Sequence, residues 1–308
     1  MINVLRRTQE SAKGVGIKMI ESEINLSRLR QLDALRFYGG DIRKRCSDGQ
    51  IGGISKDALY GDENAYRTLN ALLFGGVKNE QERIWVEGHK LNSVFITRVE
   101  ETLQIYTDIF VLMKENRMNV DTCVVGKRID RASSVSYYEK GFTHSFFSVS
   151  KCDYNSEFAH KNGIVLIETH ITPNVPSIDY EKIFTCKDYK NLEEKEILLP
   201  PFLNIELREE ALRLTKTKKV KDLNKKPPLG KYQLRTIAFP DYRKSIFDSE
   251  EVLWEQIMEG KNSAACLLEK MNEGDKEQDY KEYSSWKEKV QLYLKVRFSQ
   301  IWYGGDED

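Results

Sequence analysis

The spacing of hydrophobic positions changes along this chain near Thr122 and changes back near Glu250, which splits it into helical, strand-rich and helical parts. In the first part, Ile17, Ile20, Ile24, Leu32 and Leu35 recur with charges between them across Ser11 to Leu35, the pattern of one or two amphipathic helices. The Gly, Asp and Ser content from Gly39 to Gly53 marks a loop, and Ser55 stands where an N-cap would open a short helix. Ala65, Leu69, Leu72 and Leu73 share the face of a further helix, which the Gly75-Gly76 pair stops. A longer periodic stretch from Leu91 to Met113 carries Val94, Phe95, Val99, Leu103, Ile109 and Leu112.

Beyond Thr122 the apolar residues gather in short runs rich in Val, Ile and Phe, separated by polar turns. Strands are predicted at Thr122 to Gly126, Phe146 to Ser150, Gly163 to Ile171 and Glu196 to Leu199, with continuations at Leu203 to Leu207 and Tyr232 to Phe239. The lysine-rich Lys216 to Lys226, closed by Pro227-Pro228, reads as a solvated loop, with an anion-binding patch as the alternative. Helical spacing returns through Leu253, Ile257, Leu267 and Leu268, then Val290, Leu294, Phe298 and Ile301, with a break predicted in the charged Glu273 to Glu282. No repeat of fixed period is present. The expected class is α+β, divided into an N-terminal helical segment (1–55), a central domain (56–240) and a helical C-terminal extension (241–308).

Composition narrows the function classes. The 308 residues carry 48 Lys+Arg and 48 Asp+Glu, so general nucleic-acid affinity cannot come from overall charge. With 40% hydrophobic residues the chain can build a core, which excludes disorder throughout. Uncharged runs such as Thr68 to Val77 fall far short of a membrane span, and Met1 to Glu10 offers no Sec signal core, so a cytoplasmic location in the producing or a target cell is expected. The cysteines are odd in number (Cys46, Cys123, Cys152, Cys186, Cys266) and form no Cys-x-x-Cys, and His89, His144, His160 and His170 form no His-Glu-x-x-His. Reduced thiols and no metal are expected, and His144 reads as a strand-edge or core histidine.

Three segments stand out in chain order. Val124-Val125-Gly126-Lys127-Arg128-Ile129-Asp130 is a strand that delivers Arg128 at its end, with Arg131 three residues on as the alternative arginine. Phe142 to Ser150 places Ser148 and Ser150 either side of Val149. Glu193-Glu194-Lys195-Glu196-Ile197-Leu198-Leu199-Pro200 sets two carboxylates two positions apart as a turn enters an apolar strand. In extended chain, residues i and i+2 face the same side about 7 Å apart, so Ser148 with Ser150, and Glu194 with Glu196, can each serve one cavity. Taken singly, each segment has an ordinary reading: a strand-end arginine, an alternating strand, a solvated acidic turn.

Together they resemble the arginine, Ser-x-Ser, Glu-x-Glu signature of the mono-ADP-ribosyltransferases, in the branch that includes bacterial toxins. The flanks resemble that family too: Asn64 to Leu73 looks like the helix before the core, Tyr138 to Phe142 like the approach to the serine strand, and Gly163 to Glu168 like the strand after it. The likeness covers roughly residues 56 to 207, and its usual Ser-Thr-Ser is here Ser148-Val149-Ser150. It implies two short packed sheets with NAD in the cleft between them. It also implies roles: Glu196 on the nicotinamide ribose, Glu194 as general base for the incoming nucleophile, Arg128 on the phosphates or adjacent ribose, and Ser148 holding Glu196, with Ser150 beside it. Phe158 is the candidate nicotinamide stack, Asn70 and Tyr66 are candidates for the adenosine half, and Tyr189 for the acceptor.

These roles answer the chemistry, because positive charge grows on the ribose as a glycosidic bond breaks and a fixed carboxylate stabilises it. The implied activity is transfer of ADP-ribose from NAD to a macromolecular acceptor by a toxin or effector. The second glutamate points first to arginine on a target protein, whose guanidine must lose a proton as it attacks. The alternatives are a nucleic-acid acceptor in a toxin-antitoxin or phage-defence setting, where an antitoxin or immunity partner is expected, and a catalytically inactive binding module.

Overall fold

The computed structural model describes residues 27–39, 50–51, 54–55, 65–73, 93–116, 124–132, 135–151, 164–185, 192, 195–210, 230–273 and 277–304. Among them are eight α-helices and a seven-stranded mixed sheet, an α+β architecture.

The helical layer is built around α4 (Val99–Glu115), which follows α1 (27–38), α2 (Ala65–Leu73) and the short α3 (Val94–Thr97). Val99, Leu103, Tyr106, Phe110 and Met113 are buried at helical spacing, and Glu100 and Glu101 in its first turn suit the positive end of the helix dipole. Asp108 is buried on the same helix because the Arg30 guanidinium of α1 forks onto both its oxygens at 2.9 and 3.0 Å. The Tyr106 hydroxyl donates to the Leu69 carbonyl at 2.7 Å, tying α4 to α2.

The tail forms two long helices, α7 (Glu250–Glu273) and α8 (Glu277–Tyr303), as its periodicity predicts, with residues 274–276 between them outside the described set. Trp286 of α8 donates to the Ile257 carbonyl of α7 at 3.0 Å, and a Cβ on Gly260 would sit 2.6 Å from the Trp286 ring. Phe298 stacks on Phe110 at 4.2 Å and Gln291 donates to the Leu72 carbonyl at 3.3 Å, so α8 packs onto α4 and α2.

The sheet runs β6-β7-β4-β3-β5-β9-β8, where β3 is Val124–Arg131, β4 Phe147–Ser150, β5 Ile164–Ile171, β6 Ile178–Asp179, β7 Glu196–Leu199, β8 Ile205–Glu210 and β9 Gly230–Thr236. The short helices α5 (Val135–Tyr138) and α6 (Tyr180–Ile183) sit in its connections. A separate hairpin pairs β1 (Gln50–Ile51) with β2 (Ile54–Ser55), so Ser55 ends a strand where the sequence suggests a helix cap. All eight residues of β3 pair with β5, which carries β3 past the apolar run ending at Gly126, through the Val124 to Asp130 segment and on to Arg131, and puts Arg128 inside the strand rather than at its end. The two-residue β6 is too short to leave a periodic signal, and the sequence reading lacks it.

The joint between β3 and β4 is a single register pair, Lys127 with Ser150. The seven strands are therefore one hydrogen-bonded sheet with a narrow waist: a short wing of β6, β7 and β4, and a long wing of β3, β5, β9 and β8. Gly126 permits the approach at the waist, since a Cβ there would lie 2.4 Å from Cγ2 of Val149.

Candidate active site

Arg128, Ser148 and Glu196 come together at this waist. Beyond the Lys127 and Ser150 pair the two strands separate, and the Arg128 side chain bridges the gap by donating from Nη1 to the Ser148 carbonyl at 3.0 Å. A guanidinium thereby takes the acceptor that a continued ladder would have given to a backbone amide. On the other side of the same residue, the Ser148 hydroxyl hydrogen-bonds Oε1 of Glu196. Ser150 is the direct cross-strand neighbour of Glu196, so both serines of the Ser-x-Ser run border that carboxylate.

Arg128 is tightly placed. Its Nε donates to Oδ2 of Asp130 at 3.1 Å, the same oxygen accepts the Tyr138 hydroxyl, and the guanidinium lies 4.8 Å over the Phe147 ring. Burial works against the Arg128 charge, but Tyr138, Asp130 and Tyr38 together outweigh it, so the guanidinium stays charged above its ordinary range. Burial pushes the Tyr138 hydroxyl up, and Arg128 opposes that only in part, so the phenol stays a proton donor to Asp130. Part of the Arg128 side chain is exposed, 32% of its surface, although its guanidinium is enclosed by Asp130, the Ser148 carbonyl and the Phe147 ring.

Asp130, Tyr138 and Tyr38 were not among the sequence candidates. The i, i+2 argument used for the serines and glutamates also places Arg128 and Asp130 on one face, so Asp130 was within reach of it. Tyr138 and Tyr38 come from α5 and α1, and no local pattern joins them to β3. Asn70 donates to the Tyr38 hydroxyl at 3.0 Å, and the Tyr38 ring meets Phe146 at 5.1 Å, so Asn70 reaches the site through Tyr38.

Glu196 owes its position to the turn before it. Lys195 has φ 49°, a left-handed conformation costing a side chain about 1 kcal/mol, and its amide and carbonyl are both held, by the Leu192 carbonyl at 3.0 Å and the Lys151 amide at 3.1 Å. Lys151 continues the Ser-x-Ser strand and places its ammonium 2.8 Å from both Asp179 oxygens and 2.6 Å from Glu181. Burial disfavours the Lys151 charge, and the two carboxylates more than reverse this; Lys151 in turn holds Glu181 below its usual range.

Of the other sequence candidates, Tyr66 lies in α2 with only its backbone described. Glu194, Phe158, Tyr189 and Lys216 to Lys226 lie outside the described residues, as does the side chain of Arg131. His144 is 7% exposed, packed 4.4 Å from Phe142 and 5.8 Å from Tyr137, and burial with Lys140 lowers its pKa to about 4, a neutral core histidine. Among the described residues no group of three His, Cys, Asp or Glu is placed to hold a metal ion, and no helix is long and apolar enough to cross a membrane.

Chemically, the site offers a fixed guanidinium and a hydroxyl-held carboxylate on opposite sides of one serine. No family model, curated protein or solved structure matches this chain.

Proposed function

We propose that this chain is an NAD-dependent mono-ADP-ribosyltransferase of the toxin or effector kind. It transfers ADP-ribose to a macromolecular acceptor, first of all an arginine on a target protein, and releases nicotinamide. The observation that carries the reading is the convergence of Arg128, Ser148 and Glu196, three residues far apart in sequence, on one point of the sheet. The donor set fits a dinucleotide in kind: a guanidinium forks onto phosphoryl oxygens, and a carboxylate accepts from ribose hydroxyls.

In this reading Arg128 binds the phosphate side, and Asp130 and Tyr138 keep its fork aimed. Ser148 keeps the Glu196 carboxylate from turning away, and that carboxylate stabilises the positive charge that grows on the ribose as nicotinamide leaves. Glu194, one residue before the strained Lys195, takes the proton of the attacking nucleophile. The catalytic domain of this reading is 56–240, flanked by the segments 1–55, which ends in the β1 and β2 hairpin, and 241–308.

The test is nicotinamide release from labelled NAD by the wild type and Glu196→Gln, with whole-cell lysate as acceptor source. Release by the wild type, its loss in Glu196→Gln, and label removed by protease support the reading. Label removed by nuclease instead moves the acceptor to nucleic acid. Equal, background release by both proteins overturns the enzyme and leaves a binding module.

A further inference from the structure

The long wing carries a second feature, away from the waist. On its outer face a bay of about 440 Å³ opens between β5, β9 and β8, lined by His170, Thr172, Glu206, Arg208, Gln233 and Arg235, with Pro173 as an apolar wall. The lining is set by register: Arg235 is directly opposite both His170 and Glu206, and Gln233 is opposite Arg208. Three adjacent strands at about 4.8 Å spacing thus present two guanidiniums, an imidazole and an amide across about 10 Å.

The charges are unevenly satisfied. Glu206 accepts from Arg208 at 2.8 and 3.1 Å, and Glu168 lies 3.3 Å from Nε2 of His170. Arg235 is exposed and has no ion-pair partner among the described residues. Counting the groups beside the lining, Arg208, Arg235 and Lys231, which lies 3.6 Å from Glu168, stand against Glu206 and Glu168, an excess of one positive charge.

We propose that this bay is a binding site for a phosphorylated small molecule that also bears hydroxyls, a sugar phosphate or mononucleotide. The volume suits such a ligand and is in the range of ordinary small-molecule sites. A three-oxygen phosphoryl group can accept from Arg235, Arg208 and His170 on separate strands, whereas a planar carboxylate satisfies one fork. Gln233 and the Glu206 carboxylate are the groups for hydroxyls. The site is independent of the transferase reading and stands or falls separately from it.

The test uses the full chain and its His170 imidazole resonance, one of four histidines, assigned by His170→Gln. The probes are ribose 5-phosphate, ribose, inorganic phosphate and a decauridylate. Ribose 5-phosphate is expected to shift the resonance saturably and ribose to leave it in place. Arg235→Gln and Arg208→Gln should each weaken binding about tenfold, Arg235→Lys less, with unchanged melting temperatures. Inorganic phosphate competing for the shift supports the assignment. Absence of a saturable shift at about 10 mM ribose 5-phosphate, or unchanged binding by Arg235→Gln, overturns it. Decauridylate binding far more tightly than ribose 5-phosphate also overturns it, in favour of a nucleic-acid backbone.

Discussion

The two wings of the sheet are built on different principles. In the long wing β3 and β5 share eight register pairs, and β5 with β9 and β9 with β8 share six each. In the short wing β4 and β7 share four, and β7 and β6 two. The long wing holds itself by backbone ladders and the buried row Val165, Ile167, Thr169 and Ile171. The short wing has shorter ladders over its own buried row of Phe147, Val149, Ile178, Ile197, Leu198 and Leu199, and it adds side-chain bonds: Lys151 on Asp179 and Glu181, Ser148 on Glu196, and Arg128 reaching across the waist. The candidate chemistry lies where the ladder stops, because there a polar side chain takes the place of a strand neighbour.

Substitutions at and beside the waist test this division. The largest effect is expected from Glu196→Gln, which should slow nicotinamide release about a thousandfold, worth about 4 kcal/mol of activation energy, with no change in melting temperature. Parallel losses of activity and melting temperature would make Glu196 a structural residue. Gly126→Val drives a side chain into Val149, 2.4 Å from even a Cβ, and should cost about 3 kcal/mol of unfolding free energy in a urea titration. An unaffected stability would mean the wings are not in close contact at this point.

His144, on the approach to the short wing, makes stability depend on pH. Its pKa of about 4 in the fold lies below the ordinary 6.5, so between these values the unfolded chain binds the extra proton and stability falls as pH drops. The wild type should lose up to about 3 kcal/mol from pH 6.5 to 4, and His144→Phe should flatten that part of the profile. An equally steep profile in His144→Phe would assign the dependence to other groups.

Asp130→Asn removes the charged partner of Arg128 and should lower stability by about 2 kcal/mol in chemical denaturation. It should also raise KM for NAD more than it lowers kcat, whereas equal changes in the two would argue against a binding role for Arg128. The smallest effect belongs to Lys195→Gly, which relieves the left-handed strain and, among the described residues, gives up a long, exposed contact with Glu181 at 3.9 Å. A gain of about 0.5 kcal/mol is expected, and a loss would show that the Lys195 side chain helps hold the turn.

Much of this architecture is legible in the chain. The core strands β4, β5 and β7 sit where clusters of Val, Ile and Phe predict them, and α4, α7 and α8 follow the apolar period. Less legible are the features that depend on partners distant in sequence. That β3 is paired along its whole length, with Arg128 inside it, follows from β5, since past Gly126 its composition is polar apart from Ile129. Residues of β6 are too few for any periodicity. Tyr38, 90 positions before Arg128, enters the site from a helix whose sequence records only its amphipathic face.

The sequence by itself determined the types of the longer elements, the balanced charge and the identity of the three polar residues singled out for chemistry, because period, propensity and residue type are local properties. Only the tertiary structure decided that β3 and β4 part after one pair, that Arg128 spans the opening, and that Ser148 faces Arg128 through its carbonyl and Glu196 through its hydroxyl. Those facts depend on where Gly126 lets two strands meet and on which acceptors remain once the ladder ends. Both are consequences of packing between segments far apart in the chain.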